Sequence, residues 1–155
     1  MPHVLFVCTA NICRSPVAEG YFRQKAQSLG LTDMVTSSAG TWAERVRPAS
    51  RYSVEVLAEK GIDIKAHRAR MIDRAMLAEA DLVLTMESGH AEALRVEFGD
   101  QASKIYLLSQ MVGPTYDISD PYGGPRHEYE IMIRDVTKLI DDGWDRLIGL
   151  ATNPQ

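Results

Sequence analysis

Apolar positions along the chain fall into short continuous runs and helical stripes that alternate. His3-Val4-Leu5-Phe6-Val7 is continuous and rich in β-branched residues, the pattern of a strand buried on both faces in a parallel sheet. Pro16 to Leu29 predicts a helix, with Val17, Tyr21, Phe22, Lys25 and Leu29 at helical intervals. Ser15 is its expected N-cap, Pro16 its first helical residue, and Gly30 follows its end. Met34 to Ala39 predicts a second strand, and Ala49 to Lys60 a helix stopped by Gly61. Ala80 to Thr85 predicts a third strand, Ser88 to Phe98 a helix closed by Gly99, and Lys104 to Leu108 a fourth strand. Glu128 to Leu150 predicts one long final helix, its apolar positions from Tyr129 to Ile148 following the helical period.

Strands alternating with helices predict an α/β fold, a doubly wound four-stranded parallel sheet with helices on both faces. No internal repeat or linker interrupts the pattern, so residues 1–155 are expected to form one domain. In such sheets ligands sit beyond the carboxyl ends of the strands. Ser109 to Arg126, which holds Gly113, Pro114, Pro121, Gly123, Gly124 and Pro125, is a long irregular segment of the kind that often carries function.

Composition narrows the function by exclusion. Hydrophobic residues make up 45% of the chain and charged residues 25%, ordinary values for a soluble globular protein. Lys plus Arg is 17 against 21 for Asp plus Glu, a net charge of −4, which argues against a general nucleic-acid binder. No apolar run approaches the ~20 residues of a membrane helix. The opening MPHVLFVCTA has no basic n-region or cleavage site; it reads as structure, and the expected location is the cytoplasm. The two cysteines imply no disulfide framework, and with His3 they are too few for a structural metal site.

The chemistry concentrates after the first strand, in Val7-Cys8-Thr9-Ala10-Asn11-Ile12-Cys13-Arg14-Ser15-Pro16. A short loop between strand and helix can turn successive backbone N–H groups inward as an anion nest, and the helix N-terminus adds its free N–H groups and positive dipole end. Arg14 adds a planar fork suited to two phosphate oxygens. Cys8 then lies at the bottom of a positive cup, a field that favours the nucleophilic thiolate, and Ser15 is placed to donate its hydroxyl to it. The plain alternative is a small buried cysteine in an ordinary βα turn with Arg14 on the surface. A nucleotide P-loop is excluded because the loop has neither lysine nor glycine.

At these residues the sequence resembles the low-molecular-weight protein tyrosine phosphatases. The resemblance covers nearly the whole chain through VCTANICRSP, the SSAG turn, HRARMI, DLVLTMES and Asp120-Pro121-Tyr122-Gly123. It implies a four-stranded parallel sheet and cofactor-free, metal-free hydrolysis of phosphate monoesters through a phosphocysteine. Its partners would be phosphotyrosine proteins, with phosphate or other oxyanions held at residues 9–14. Cys8 matches the nucleophile, Arg14 the phosphate-binding arginine, Asp120 the general acid, and Ser15 the hydroxyl that stabilises the thiolate. Asn11, Ser38 and His67 match groups that brace the loop, and Cys13 matches a second cysteine able to trap the nucleophile as a disulfide. Trp42 and Tyr122 are expected as aromatic walls of a slot for a phenyl ring.

Three departures stand out. Ala10 replaces the family's usual glycine, which would strain the loop if that position needs a positive φ. Gly40-Thr41-Trp42 is shorter than in many members. One tyrosine, not two, follows Asp120-Pro121.

Other chemistries remain open on this scaffold. Protein-arginine phosphatases carry threonine where this chain has Ile12. A thiol-dependent arsenate reductase needs a further relay cysteine, and the chain has none beyond Cys13. A non-catalytic phosphate-binding module would lack the nucleophile or the acid. Asp117 is the second candidate for that acid.

Overall fold

The computed structural model describes residues 1–153. Its four strands, β1 (His3–Cys8), β2 (Val35–Gly40), β3 (Leu82–Thr85) and β4 (Ile105–Leu107), pair in parallel in the order β2-β1-β3-β4. Six α-helices accompany them: α1 (Arg14–Ser28), α2 (Arg51–Glu59), α3 (Arg74–Glu79), α4 (Ser88–Glu97), α5 (Arg126–Asp142) and α6 (Trp144–Thr152). Among the described residues, no helix is long and apolar enough to cross a membrane.

The continuous apolar run of β1 has a simple cause. Val4 and Phe6 pack on one face of the sheet with residues of α1 and α5, while Leu5 and Val7 pack on the other with Leu77, Leu94 and Phe98. All four strand residues are fully buried, each stabilising the fold by about 1.5–3 kcal/mol relative to exposure. With both faces covered, the strand is apolar from Val4 to Val7, and at its end Cys8 stands. The chain runs from β1 to β2 on one side, then crosses to β3 on the other. Cys8 therefore sits at the point where the strand order reverses, where open α/β sheets leave a crevice for ligands.

The structure revises some expectations. The long last helix breaks at Gly143, which caps α5 and starts α6. A Cβ there would lie 2.5 Å from the Met111 Cβ, so the chain can pack this closely only as glycine. Beyond the break, Trp144 stacks on Phe22 of α1 with ring centroids 5.1 Å apart. The six-residue α3 is additional, being too short to show a helical period. Ser15 is not the cap of α1: the helix begins at Arg14, and no side chain caps it. Its first free N–H groups thus remain available at the loop, and the Ser15 hydroxyl turns into the protein.

Candidate active site

Positions 8–15 make the turn from β1 to α1, and a network beneath the turn fixes its shape. Asn11 is the one non-glycine residue with positive φ among those described, at 60°. The left-handed conformation therefore falls on Asn11, which tolerates it better than most residues, and Ala10 is spared the strain expected of it. Every polar atom beyond the Asn11 amide is engaged. Its Nδ2 donates to Ser15 Oγ at 2.7 Å and to Ser38 Oγ at 3.0 Å. Its Oδ1 accepts from the Arg70 amide at 3.0 Å, and its carbonyl accepts from His67 Nε2 at 2.6 Å. The Ser38 hydroxyl in turn donates a hydrogen bond to Glu19 Oε1 at 2.6 Å. Each such bond contributes about 0.5–1.5 kcal/mol net, and an unmet partner in this buried setting costs more. Asn11, Ser38 and His67 are thus brought together beneath the turn. Glu19 and Arg70 were not anticipated.

The neighbouring strand must come very close to this turn. Gly40 pairs with Cys8 across β2 and β1, and a Cβ on it would stand 2.4 Å from the Thr9 carbonyl oxygen. No larger residue fits without moving the loop. The amides of Thr41 and Trp42 then bond the carbonyls of Cys8 and Thr9 at 2.9 and 2.8 Å.

The sulfur of Cys8 lies 3.0 Å from Ser15 Oγ. Because Asn11 already donates to that oxygen, the Ser15 hydroxyl hydrogen is free to point at the sulfur. Arg14 is fully buried. Its Nη1 donates to Glu87 Oε2 at 2.6 Å and to the Ile118 carbonyl at 2.7 Å. Its Nη2 lies 3.4 Å from Thr9 Oγ1 and 3.5 Å from Asp120 Oδ2. Its Nε is buried and has no acceptor among the described residues. Nε and Nη2 form one edge of the guanidinium, the edge that fits two oxygens of a tetrahedral anion. Leaving a charged, buried donor unmatched is costly, so this edge is built for an oxyanion.

His90 and Glu87 complete the wall. The Glu87 amide donates to His90 Nδ1 at 3.2 Å, which makes Nδ1 an acceptor and places the ring proton on Nε2, 2.8 Å from Thr9 Oγ1. Burial first, and then the nearby Arg14 charge, lower the His90 pKa, in keeping with a neutral ring. Neither residue was anticipated from the sequence. Cys13 is buried against Ser50 Oγ at 3.0 Å and Tyr129 Oη at 3.6 Å, and burial pushes its thiol pKa up.

The long segment after β4 is anchored before it reaches the site. Ile118 is buried, its amide bonds the Met86 carbonyl at 2.9 Å, and its own carbonyl receives Arg14. Two residues later Asp120 accepts the Tyr122 amide on Oδ1 at 3.1 Å and turns Oδ2 towards Arg14. Asp117 is occupied elsewhere: it accepts the Ser88 amide at 2.7 Å, at the start of α4.

A cleft of about 240 Å³ lies over this arrangement. It is lined by Cys8, Thr9, Ala10, Ile12, Cys13, Arg14, Trp42, Arg47, Asp120 and Tyr122. The short Gly40-Thr41-Trp42 segment still brings Trp42 to the rim, where the indole is 67% exposed. Asn11 and Ser15 do not line the cleft; their side chains are engaged behind it. Arg47 is a lining residue that the sequence did not single out.

A thiol at the end of a central parallel strand, under a buried arginine edge and beside a carboxylate, defines an α/β protein built to hold a tetrahedral oxyanion over a cysteine. Comparison with known proteins agrees. Residues 3–149 match the low molecular weight phosphotyrosine protein phosphatase family, and the chain belongs to that family, whose members hydrolyse phosphate monoesters. A protein-arginine-phosphatase of Geobacillus stearothermophilus is 38% identical over 143 residues, covering 91% of this chain and 93% of its own. A low molecular weight protein-tyrosine-phosphatase of Streptomyces coelicolor is 38% identical over 136 residues, covering 82% of each chain. The crystal structure of a low molecular weight protein tyrosine phosphatase from T. tengcongensis superposes with a TM-score of 0.89 at 41% identity, covering 94% of this chain and 99% of that one.

Proposed function

We propose that residues 1–155 act as one cytoplasmic protein tyrosine phosphatase domain working through a phosphocysteine. The observation that carries this reading is the unmatched Arg14 Nε edge in the same cleft as Cys8 and Asp120. The phosphate of phosphotyrosine enters the nest of residues 9–14, with two oxygens on Arg14 Nε and Nη2. Cys8 attacks phosphorus in line, the phosphorus–oxygen bond to the ring breaks, and Asp120 gives its proton to the departing phenol oxygen. Ser15, hydrogen-bonded to the sulfur, stabilises the thiolate both as it arrives and as it leaves. Asp120 then takes a proton from the water that attacks phosphorus, releasing phosphate and Cys8. Asn11, Ser38 and His67 hold the nest in shape, and Trp42 and Tyr122 flank the phenyl ring.

The similarity to an arginine phosphatase favours a second reading, phosphoarginine hydrolysis in the same site. Ile12 is the residue we propose as the selector between them. It is buried and lines the cleft beside Tyr122. Its branched apolar side chain suits the face of a phenyl ring and offers no acceptor to a guanidinium. An unmet N–H in a tight pocket costs about 1–3 kcal/mol, roughly 5–150-fold in kcat/KM. The wild type is expected to prefer phosphotyrosine peptides over phosphoarginine and phosphoserine peptides, and Ile12→Thr to move the ratio towards phosphoarginine. A wild type faster on phosphoarginine would replace the first reading by the second. An unchanged ratio in the variant would remove Ile12 as the selector.

The same site is proposed to be redox-sensitive, which suits free cysteines in a reducing compartment. Peroxide oxidises the Cys8 thiolate to a sulfenic acid, and the Cys13 thiol displaces water from it to form a disulfide. A thiol reductant then restores both thiols. Peroxide-treated wild type is expected to recover activity with reductant, whereas Cys13→Ser should be lost irreversibly. Sulfinic acid at Cys8 with Cys13 still free in the oxidised wild type would reject this protection.

A further inference from the structure

The phosphate cleft does not stand alone. A shallow site of about 190 Å³ adjoins it on the Trp42 side, lined in part by Glu44 and Arg45. A groove of about 420 Å³ adjoins it on the Tyr122 side, floored by Pro48, Tyr52 and Tyr129. Arg47 is the one described residue that lines all three. Its place is fixed from the backbone, since its carbonyl accepts the Ala69 amide at 2.8 Å and Pro48 follows it. Its guanidinium lies over the Tyr122 ring, 5.9 Å from the centroid, a cation–π contact that uses none of its N–H donors.

Among the described residues, Arg47 has no carboxylate within ion-pair distance. Arg45, on the same loop, likewise has no ion-pair partner among the described residues, although Glu44 lies beside it in sequence. This chain carries 21 acidic residues against 17 basic ones, so a half-buried arginine without a partner is not for lack of carboxylates. Arg14 could not leave the cleft to serve here, being buried and tied to Glu87 and Ile118. The rim therefore presents a second, shallower cation beside the phosphate nest, with an aromatic-floored groove running away from it.

We propose that Arg47 is a specificity-determining residue that receives an acidic side chain of the substrate protein next to its phosphorylated residue, with the flanking peptide lying in the groove over Pro48 and Tyr52. This rests on the phosphatase reading and adds to it the kind of sequence the enzyme selects. A free small anion would gain little at so exposed a rim. A carboxylate delivered by the same peptide that fills the cleft arrives at high effective concentration and only needs to pair. Charge on the rim also steers the encounter, so the preference should weaken with salt.

The test measures kcat/KM for phosphotyrosine peptides whose neighbours are Asp, Ala or Lys on either side, with phenyl phosphate as the substrate that has no neighbours. Wild type is expected to prefer the Asp peptides over the Ala peptides by about two- to fivefold, less at high ionic strength. Arg47→Gln should bring that ratio close to one, Arg47→Lys should keep part of it, and Arg47→Glu should turn it towards the Lys peptides. Thermal melting of each variant checks that it folds. A wild type that hydrolyses all peptides alike overturns the proposal while leaving the phosphatase reading in place. Equal losses on every peptide and on phenyl phosphate in Arg47→Gln also overturn it, since Arg47 would then be only part of the cleft wall. Hydrolysis of none of these substrates by the wild type would reject the phosphotyrosine reading itself.

Discussion

Cys8→Ser is expected to abolish turnover while phosphate still binds. The residue sits at the end of β1, locked by pairing to Gly40 on one side and by the Ser15 contact on the other, so serine occupies the same place. The binding apparatus is separate from the nucleophile: the Arg14 edge is set by Glu87 and Ile118, and the loop by Asn11, His67 and Ser38. A hydroxyl is a far poorer nucleophile than a thiolate, and removing a covalent nucleophile normally costs far more than a hundredfold. Steady-state rates on phenyl phosphate and titration of inorganic phosphate measure the two properties independently. A variant retaining more than about a hundredth of the wild-type rate would sink the covalent assignment. Loss of phosphate binding together with turnover would show instead that the serine had disturbed the loop.

Much of this site was legible because it is local. β1 had to be a run of apolar residues, since both its faces are covered, and the first polar chemistry after it had to lie at the strand's carboxyl end. Cys8, Arg14 and Ser15 follow in the one connection from β1 to α1, and it is their setting between a strand end and a Ser-Pro helix start, more than their spacing, that points to a cradle. The supports were not legible because they arrive from far along the chain. Glu87 meets Arg14 across 73 positions and His90 meets Thr9 across 81, and each in isolation reads as an ordinary residue at the start of a helix. Glu19 reads as a solvated helix position until Ser38 and His67 close over it. Gly143 misled for a related reason: the helical period continues through it, and glycine within a helix costs only about 1 kcal/mol. The break comes from the approach of Met111, which no local pattern records. Ala10 would be strained only if its position needed a positive φ, and the positive φ of this turn falls one position later, on Asn11.

Asp120→Ala is expected to slow phosphotyrosine peptides and phenyl phosphate by roughly 10²–10⁴, the usual value of general acid catalysis. The carboxylate is presented by its loop rather than by a helix or strand. Ile118 pins that loop to Met86 and Arg14, and the Tyr122 amide holds Oδ1, which leaves Oδ2 facing the cleft 3.5 Å from Arg14 Nη2. On the proposed mechanism, a proton delivered there would meet the ester oxygen of a phosphate seated on Arg14, on the side away from Cys8. The need for it depends on the leaving group. A phenolate departing from phenyl phosphate must be protonated as the bond breaks, whereas a nitrophenolate bearing further electron-withdrawing groups is stable as an anion and should show a much smaller penalty. The plot of log kcat/KM against leaving-group pKa is therefore expected to be nearly flat for the wild type and steep for the variant. A uniform loss across the series would mean that Asp120 only shapes the loop. Asp117 is a poor substitute for it, because its carboxylate holds the Ser88 amide. Asp117→Ala should accordingly lower the melting temperature through the start of α4 and leave the leaving-group slope as it is in the wild type.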